Sequence, residues 1–342
     1  MDTIRLKNTL RNKSGQIINQ LFPPKTELHY GSGNFPFNLI FVAPRWEYKS
    51  RFTGDGFEYR RFIPAFKKLV NTFCFVPIES KQRITAEIRN FKKENKKNIV
   101  FSVFQHSKEI PQDYFKLSEG GFYLANWYTD DDMFFNKFSK SVAKHFNLNI
   151  TTFEPNLDRY KALGANAVVS QWAAEKCFSF LDRRRYLACF IGRMYGERTE
   201  LIRELKKEFN DLVFVHDTRV KILEEEKMTD AYRNSWLAID DPLSFDKKHI
   251  QIKARVFENP SHGCLVATKP NSRILKYFKP NQEILFWRST SELIGIIKNC
   301  QKNPEPYKEM AYSAYNRVRK EHLYEHRFRE IFELIGHNVK LI

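Results

Sequence analysis

The sequence has little cysteine and none of it in pairs. Cys74, Cys177, Cys189, Cys264 and Cys300 are odd in number and scattered, with no C-x-x-C. That spacing argues against a disulfide framework or a structural zinc and fits reduced thiols in a cytosol. Long apolar runs are missing too: none approaches the roughly 18 to 20 residues that a membrane-crossing helix needs. The opening segment MDTIRLKNTLRNKSGQ is basic but has no apolar core of the signal-peptide kind, so a cytoplasmic location is expected. G-x-G-x-x-G, G-x-S-x-G and a Walker loop are all absent, which leaves dinucleotide, hydrolase and kinase readings unsupported. His145, His216, His249, His322 and His326 show no metal-ligand spacing with cysteine or a second carboxylate, so no metal site is expected.

What is present is a core. Hydrophobic residues make up 42% of the 342, and phenylalanine alone supplies 31. Such a chain is long enough for two domains, each with a buried interior. The net charge of +17 favours anionic partners such as phosphorylated ligands, an acidic lipid surface or nucleic acid. Much of it lies in runs such as Lys92 to Asn98 and Asp182 to Arg185, which read as solvated surface. Basic and aromatic residues also interleave from Phe57 to Lys68, where core aromatics explain the pattern better than a nucleic-acid surface.

Short apolar runs alternate with helical patterns along the whole chain. Residues 1–34 are polar and read as an arm or a short helix. Strands are expected at Phe37 to Trp46, Phe73 to Ile78, Asn98 to Phe104 and Gly121 to Trp127, and then in NITTF and NAVVSQW. ITAEIRNFKKENKK and DDMFFNKFSKSVAKHF read as helices between them. The rhythm restarts with a strand at Tyr186 to Gly192, a helix at Glu197 to Phe209 and further β/α pairs through SELIGIIKNC. A long amphipathic helix pair closes the sequence. The expected fold class is α/β, with an N-terminal arm at 1–34, a first Rossmann-like domain at 35–178, a second at 179–310 and C-terminal helices at 311–342.

Two stretches of the second half have the residue types for binding phosphate. The strand ending at Gly192 runs through Arg193, Gly196 and Arg198 into a helix, a turn that presents backbone N–H groups and bidentate arginines to an anion. Taken alone it is equally a tight connection with surface arginines. Some sixty residues on come Lys253, Arg255, Glu258 and Gly263. Lys253 and Arg255 suit a diphosphate, Glu258 can accept from ribose hydroxyls, and Gly263 permits a close turn. The plainer reading is an amphipathic helix with Val256 and Phe257 inward and its charges in water. In the first half, Asp130, Asp131 and Asp132 admit three readings: a helix cap, an acid beside the acceptor, or a metal-binding D-x-D. Asp55 and Glu58, in the loop after the first strand, are candidate general bases.

From about Tyr186 to Ile335 the sequence resembles the C-terminal domain of glycosyltransferases related to the spore-maturation protein CgeB, a group similar to the family-four, GT-B-fold transferases. The resemblance is carried, in one order, by FIG followed by GERTELI, MTDAYRNSWLAID, QIKARVFENPSHGCLVAT, LKYFKPNQEILFWRSTSELIGIIKNC and NRVRKEHLYEHRF. LANWYTDDDMFF and TTFEPNLDRYKALGA extend it more loosely into the first half. It implies GT-B architecture: two Rossmann-like domains facing a cleft, with the C-terminal helices packing back on the first. By position, Glu258 resembles the ribose-binding glutamate, Lys253 and Arg198 the diphosphate-binding cations, and Gly192 the phosphate-approach glycine. His322 matches a position on the C-terminal helix. His262 departs from the pattern, since a small residue usually precedes the glycine.

The resemblance therefore implies a nucleotide-sugar-dependent glycosyltransferase with no resident cofactor and a nucleoside-diphosphate sugar as donor. The acceptor would be a glycan, a lipid-linked sugar or a protein. The resemblance implies retention of configuration; fixed Lys and Arg could stabilise the leaving group without a metal, and the basic charge allows peripheral contact with an anionic membrane, while nucleic acid is not expected as a partner. The alternative is a noncatalytic transferase-like protein that uses its basic surface to hold nucleic acid or anionic membrane.

Overall fold

The computed structural model describes residues 2–218, 220, 223–244 and 249–337. The chain divides into two compact units, one of residues 1–171 and 324–342 and the other of residues 172–323. Among the described residues no helix is long and apolar enough to cross a membrane.

The sheet of the first unit contains β1 (Glu27–Tyr30), β2 (Asn38–Ala43), β3 (Thr72–Pro77), β4 (Asn98–Ser102), β5 (Phe122–Tyr128), β6 (Leu148–Thr151) and β7 (Ala167–Val169) in the order β1-β3-β2-β4-β5-β6-β7. All pairs are parallel except the edge pair β1 and β3. Its helices are α1 (Asp2–Leu21), α2 (Phe57–Leu69), α3 (Ile84–Asn90), α4 (Asp131–Phe134), α5 (Lys140–Val142) and α6 (Leu157–Ala162). The apolar runs are continuous because helices cover both faces of the sheet. Alternation then sorts them: Ile40 and Val42 of β2 join one buried cluster, while Phe41 points to the other face against Phe62 and Phe66 of α2.

The second unit holds β8 (Tyr186–Gly192), β9 (Val213–Asp217), β10 (Ser235–Asp240), β11 (Leu265–Thr268) and β12 (Leu285–Phe286), all parallel, in the order β12-β11-β10-β8-β9. Around them lie α7 (Glu197–Phe209), α8 (Glu225–Arg233), α9 (Arg255–Ser261), α10 (Thr290–Lys302) and α11 (Glu305–Glu321). Both units are thus Rossmann-like and doubly wound. Of the C-terminal helices expected to pack back on the first domain, α12 (Tyr324–Gly336) belongs to the first unit and packs on α2, whereas α11 stays in the second unit against α9 and β11. Its anchor is Phe328, whose ring meets those of Phe62, Phe66, Phe101 and Trp127 at centroid distances of 4.8, 4.5, 5.6 and 5.6 Å.

Several local expectations need correction. Residues 1–34, read as an arm or a short helix, hold the 20-residue α1 and also strand β1. The helix starting at Ile84 stops at Asn90, where the Asn98 side chain closes the 93–98 turn by bonding the Lys93 N–H and the carbonyls of Lys93 and Lys96. DDMFFNKFSKSVAKHF is broken by a π-turn at Phe135–Ser139 rather than running as one helix. The amphipathic helix read around Val256 and Phe257 spans only Arg255–Ser261, so Lys253 precedes it. His322 lies off the helix, as the residue closing α11; it is buried among Phe257, Tyr277 and Phe278, with Nε2 3.0 Å from the Tyr277 carbonyl oxygen.

Phe328 is fully buried, so Phe328→Ala removes the wedge between α2 and the sheet. The expected cost is about 3 to 5 kcal/mol, measurable by urea denaturation. A cost near zero would mean that α12 is not part of this core.

Candidate functional site

In a doubly wound sheet, ligands bind outside the carboxyl ends of the strands where the winding reverses. In the second unit that point lies between β8 and β10, because β9 was added on one side of β8 and β10 on the other. β8 ends at Gly192 and β10 at Asp240. Gly196 then starts α7 at φ +54° and ψ −133°, a conformation open to glycine.

Four cations gather here. Arg198, from the first turn of α7, is almost fully buried. Its Nε donates to Asp241 Oδ2 at 2.9 Å, and its Nη2 donates to the carbonyl oxygens of Asp241 and Leu243, each at 2.8 Å. The Nζ of Lys253 donates to the same two carbonyls at 2.8 and 3.1 Å. Lys269, just past β11, lies 3.9 Å from Asp241 Oδ1 and 3.7 Å from Glu197 Oε2. Arg255, at the start of α9, has its Nε 3.7 Å from Asp240 Oδ1, while its Nη1 is buried without a hydrogen-bond partner. A Cβ on Gly192 would stand 3.0 Å from that Nη1, so the glycine makes room for the guanidinium.

Charge and burial tune these groups. Burial drives the Lys253 ammonium down to about 7, and the Arg255 and Arg198 charges add to the effect against partial relief from Asp240 and Asp241. Burial alone would raise Asp241, but the charge and hydrogen bond of Arg198 outweigh it and hold the carboxyl below its ordinary range.

The remaining residues of the second unit fall into place around this cluster. Arg193 is exposed, and its carbonyl accepts from Arg198 Nη1 at 3.4 Å. Glu258 sits one turn along α9 from Arg255, half-buried. Gly263, at φ +82°, could not carry a Cβ, which would fall 2.8 Å from Arg184 Nη2 and 2.9 Å from the Phe180 ring. The departing residue His262 is buried, stacked on Phe178 at 4.3 Å, with Nδ1 2.6 Å from the Glu258 carbonyl oxygen. Sequence reasoning missed Asp240, Asp241 and Lys269. Their signal was position, at or directly after the end of a buried strand.

The corresponding edge of the first unit is acidic. Asp55 is tied to Arg45, whose guanidinium also pairs with Glu27 and lies 3.8 Å from the Tyr59 ring centre. Glu58 lies in the first turn of α2 rather than in a loop. Burial pushes its carboxyl up to about 7; its own backbone N–H opposes the shift, and the charges of Glu47, Asp130 and Glu109 reinforce it. Asp130 precedes α4 without a side-chain capping bond. Asp131 is instead an inward hub, accepting from Ser139 Oγ and Thr151 Oγ1 at 2.6 Å each and from the Tyr160 hydroxyl at 3.1 Å. Among the described residues no group of three or more His, Cys, Asp or Glu is placed to hold a metal ion.

Comparison with known proteins bears on the fold and on the second half of the chain. Residues 183–333 match the family described as glycosyl transferase-like. No curated protein sequence matches the chain. Sucrose-phosphate synthase from Thermosynechococcus elongatus superposes with a TM-score of 0.57 at 9% identity, over 88% of this chain and 99% of that one. OtsA gives 0.55 at 8% identity, over 89% and 99%. HepE of Anabaena in complex with UDP-glucose gives 0.53 at 9% identity, over 88% and 99%. Residues 183–333 thus resemble a glycosyl transferase-like domain, and the chain has a GT-B fold.

Glu58 binds its proton more tightly when folded than when unfolded, so the folded state loses stability as pH rises from about 4.5 through about 7. Glu58→Gln should therefore stabilise the protein by about 1 kcal/mol at pH 8, discounted for partial exposure, and leave it unchanged at pH 4. Thermal melts at the two pH values check this; equal shifts at both would contradict the crowding of carboxylates.

Proposed function

We propose that the protein transfers a sugar from a nucleoside-diphosphate sugar to a glycan, lipid-linked or protein acceptor, with no resident cofactor and no metal ion. The observation that carries this reading is the gathering of Arg198, Lys253, Arg255 and Lys269 beside Gly192, where the two buried carboxylates are Asp240 and Asp241. As the bond from the anomeric carbon to the diphosphate breaks, negative charge grows on the leaving group, and fixed cations stabilise it. The unpartnered Nη1 of Arg255 suits a phosphoryl oxygen. Lys253 exchanges its two carbonyl acceptors for phosphate, and Glu258 accepts from the ribose hydroxyls. Arg198 is a positioning residue, because its donors already hold Asp241 and Leu243. The HepE protein was solved with UDP-glucose, which makes uridine donors the first to try.

Calorimetry with UDP-, GDP- and dTDP-sugars tests the reading. Lys253→Met and Glu258→Ala should each weaken donor binding about tenfold to a hundredfold; unchanged affinities would sink the site. Because Lys253 titrates at about 7 in the empty site, an anion arriving at higher pH must bring a proton with it. Affinity should then fall as pH rises above about 7, and Lys253→Met should flatten that dependence.

The family resemblance implies retention, which needs no dedicated base. One observation favours a second reading, inversion: Glu58 titrates near neutral pH, as a base for an acceptor hydroxyl should. The anomeric configuration of the product, read by NMR, separates the two. An inverted product with kcat reduced about a hundredfold or more in Glu58→Gln supports the second reading, and a retained product removes it.

A further inference from the structure

Helix α1 presents an apolar stripe that sugar transfer does not use. Leu10, Ile17 and Leu21 are 55%, 56% and 68% exposed, and Phe22, next along the chain, is 67% exposed. Steps of seven and four residues put the first three on one face of a helix. The opposite face is fixed to the first unit. A Cβ on Gly15 would stand 2.0 Å from Ser50 Oγ, so the glycine lets the helix lie directly against that side chain. Asn19 is buried, donates to the Lys49 carbonyl at 2.9 Å and accepts from Arg51 Nε at 2.9 Å. Gln16 donates to the Tyr48 carbonyl at 2.9 Å, and Arg51 Nη2 to that of Phe22 at 2.7 Å. The apolar side of a helix ordinarily faces the core. Here the polar side is clamped and the apolar side is left to solvent.

Charge identifies the occupant. The α1 sequence has Arg5, Lys7, Arg11 and Lys13 against one acid, Asp2, and both Arg11 and Lys13 are exposed. A second copy of this face would bring like charges together, which costs association energy. Aliphatic residues on one side with lysine and arginine beside them match the interface of an anionic bilayer. We propose that the outward face of α1 docks on an anionic lipid surface, with Leu10, Ile17, Leu21 and Phe22 inserted at the headgroup boundary. Because the clamped face holds Tyr48 to Arg51, docking presents the segment leading to Asp55 and Glu58 at that surface. If sugar transfer is the activity, a membrane-borne acceptor follows, and that consequence alone rests on the proposed function.

The test is cosedimentation of the full chain with vesicles of phosphatidylcholine, with and without phosphatidylglycerol. Binding is expected to the anionic vesicles only and to weaken with salt. The triple variant Leu10→Ser, Ile17→Ser, Leu21→Ser should lose about a hundredfold in vesicle affinity, while its melting temperature and its nucleotide affinity without vesicles stay unchanged. Arg11→Glu and Lys13→Glu should each cost about fivefold or more. No binding by the parent, or equal binding by the triple variant, overturns the proposal. So does a dimer that dissociates in the triple variant, which would make a second copy the occupant. Nucleotide affinity, measured separately, reports on the donor site whatever the vesicles show.

Discussion

The second unit is organised around one buried contact, that between Arg198 and Asp241. Both side chains are almost wholly withdrawn from water, where an ion pair is stable only if its remaining donors and acceptors are satisfied. They are: the guanidinium also takes the carbonyls of Asp241 and Leu243, and Asp241 Oδ1 accepts from the Leu243 N–H at 3.2 Å. This ties the start of α7 to the exit of β10, across the reversal of winding. The other cations are placed relative to that knot. Lys253 reaches the same carbonyls, Lys269 approaches the same carboxylate, and Arg255 fills the neighbouring space above Gly192.

The two units share one plan, and each crowds like charges, acids in the first and cations in the second, around one shifted group. In the first, each of β2, β3, β4 and β5 is followed at its carboxyl end by an acid: Glu47 and Glu58, then Glu79, Glu109 and Asp130. In the second, the residues that follow β8, β10 and β11 include Arg198, Lys253, Arg255 and Lys269. Burial together with like-charge crowding acts on each set. It raises a glutamate and lowers a lysine, and both arrive at about 7 from opposite directions. Such tuning is a property of sites more than of scaffolds.

The plan was legible in the sequence because it is written in apolar runs. Tyr186 to Gly192 and Glu197 to Phe209 coincide with β8 and α7 to the residue, and Gly192 and Gly263 stand where a missing side chain makes room. Side-chain direction was not legible. Spacing cannot say whether an arginine at a helix start points to a ligand or to a carbonyl of its own chain, and Arg198 does the latter. Nor could it say that the middle acid of Asp130 to Asp132 turns inward, because the hydroxyls that draw it come from Ser139, Thr151 and Tyr160. Helix ends set by distant partners were equally hidden, as with Asn98 and the end of α3. The outward stripe of α1 was masked by its own polarity, since a mostly polar segment reads as an arm.

The choice of lysine at position 253 follows from the surplus of charge. Four cations share this edge with two buried carboxylates, and a buried charge without a counterion is the most costly element of an empty site. Arginine cannot relieve that cost, because a guanidinium does not give up its proton in a protein. Lysine can, and desolvation with the Arg255 charge brings the half-buried Lys253 down to about 7. If the cluster takes a diphosphate, as proposed, Lys253 would regain its full charge when that anion supplies the missing counterion. Arg198 and Arg255 keep their charge at any such pH, so the variable charge is confined to the Lys253 side chain.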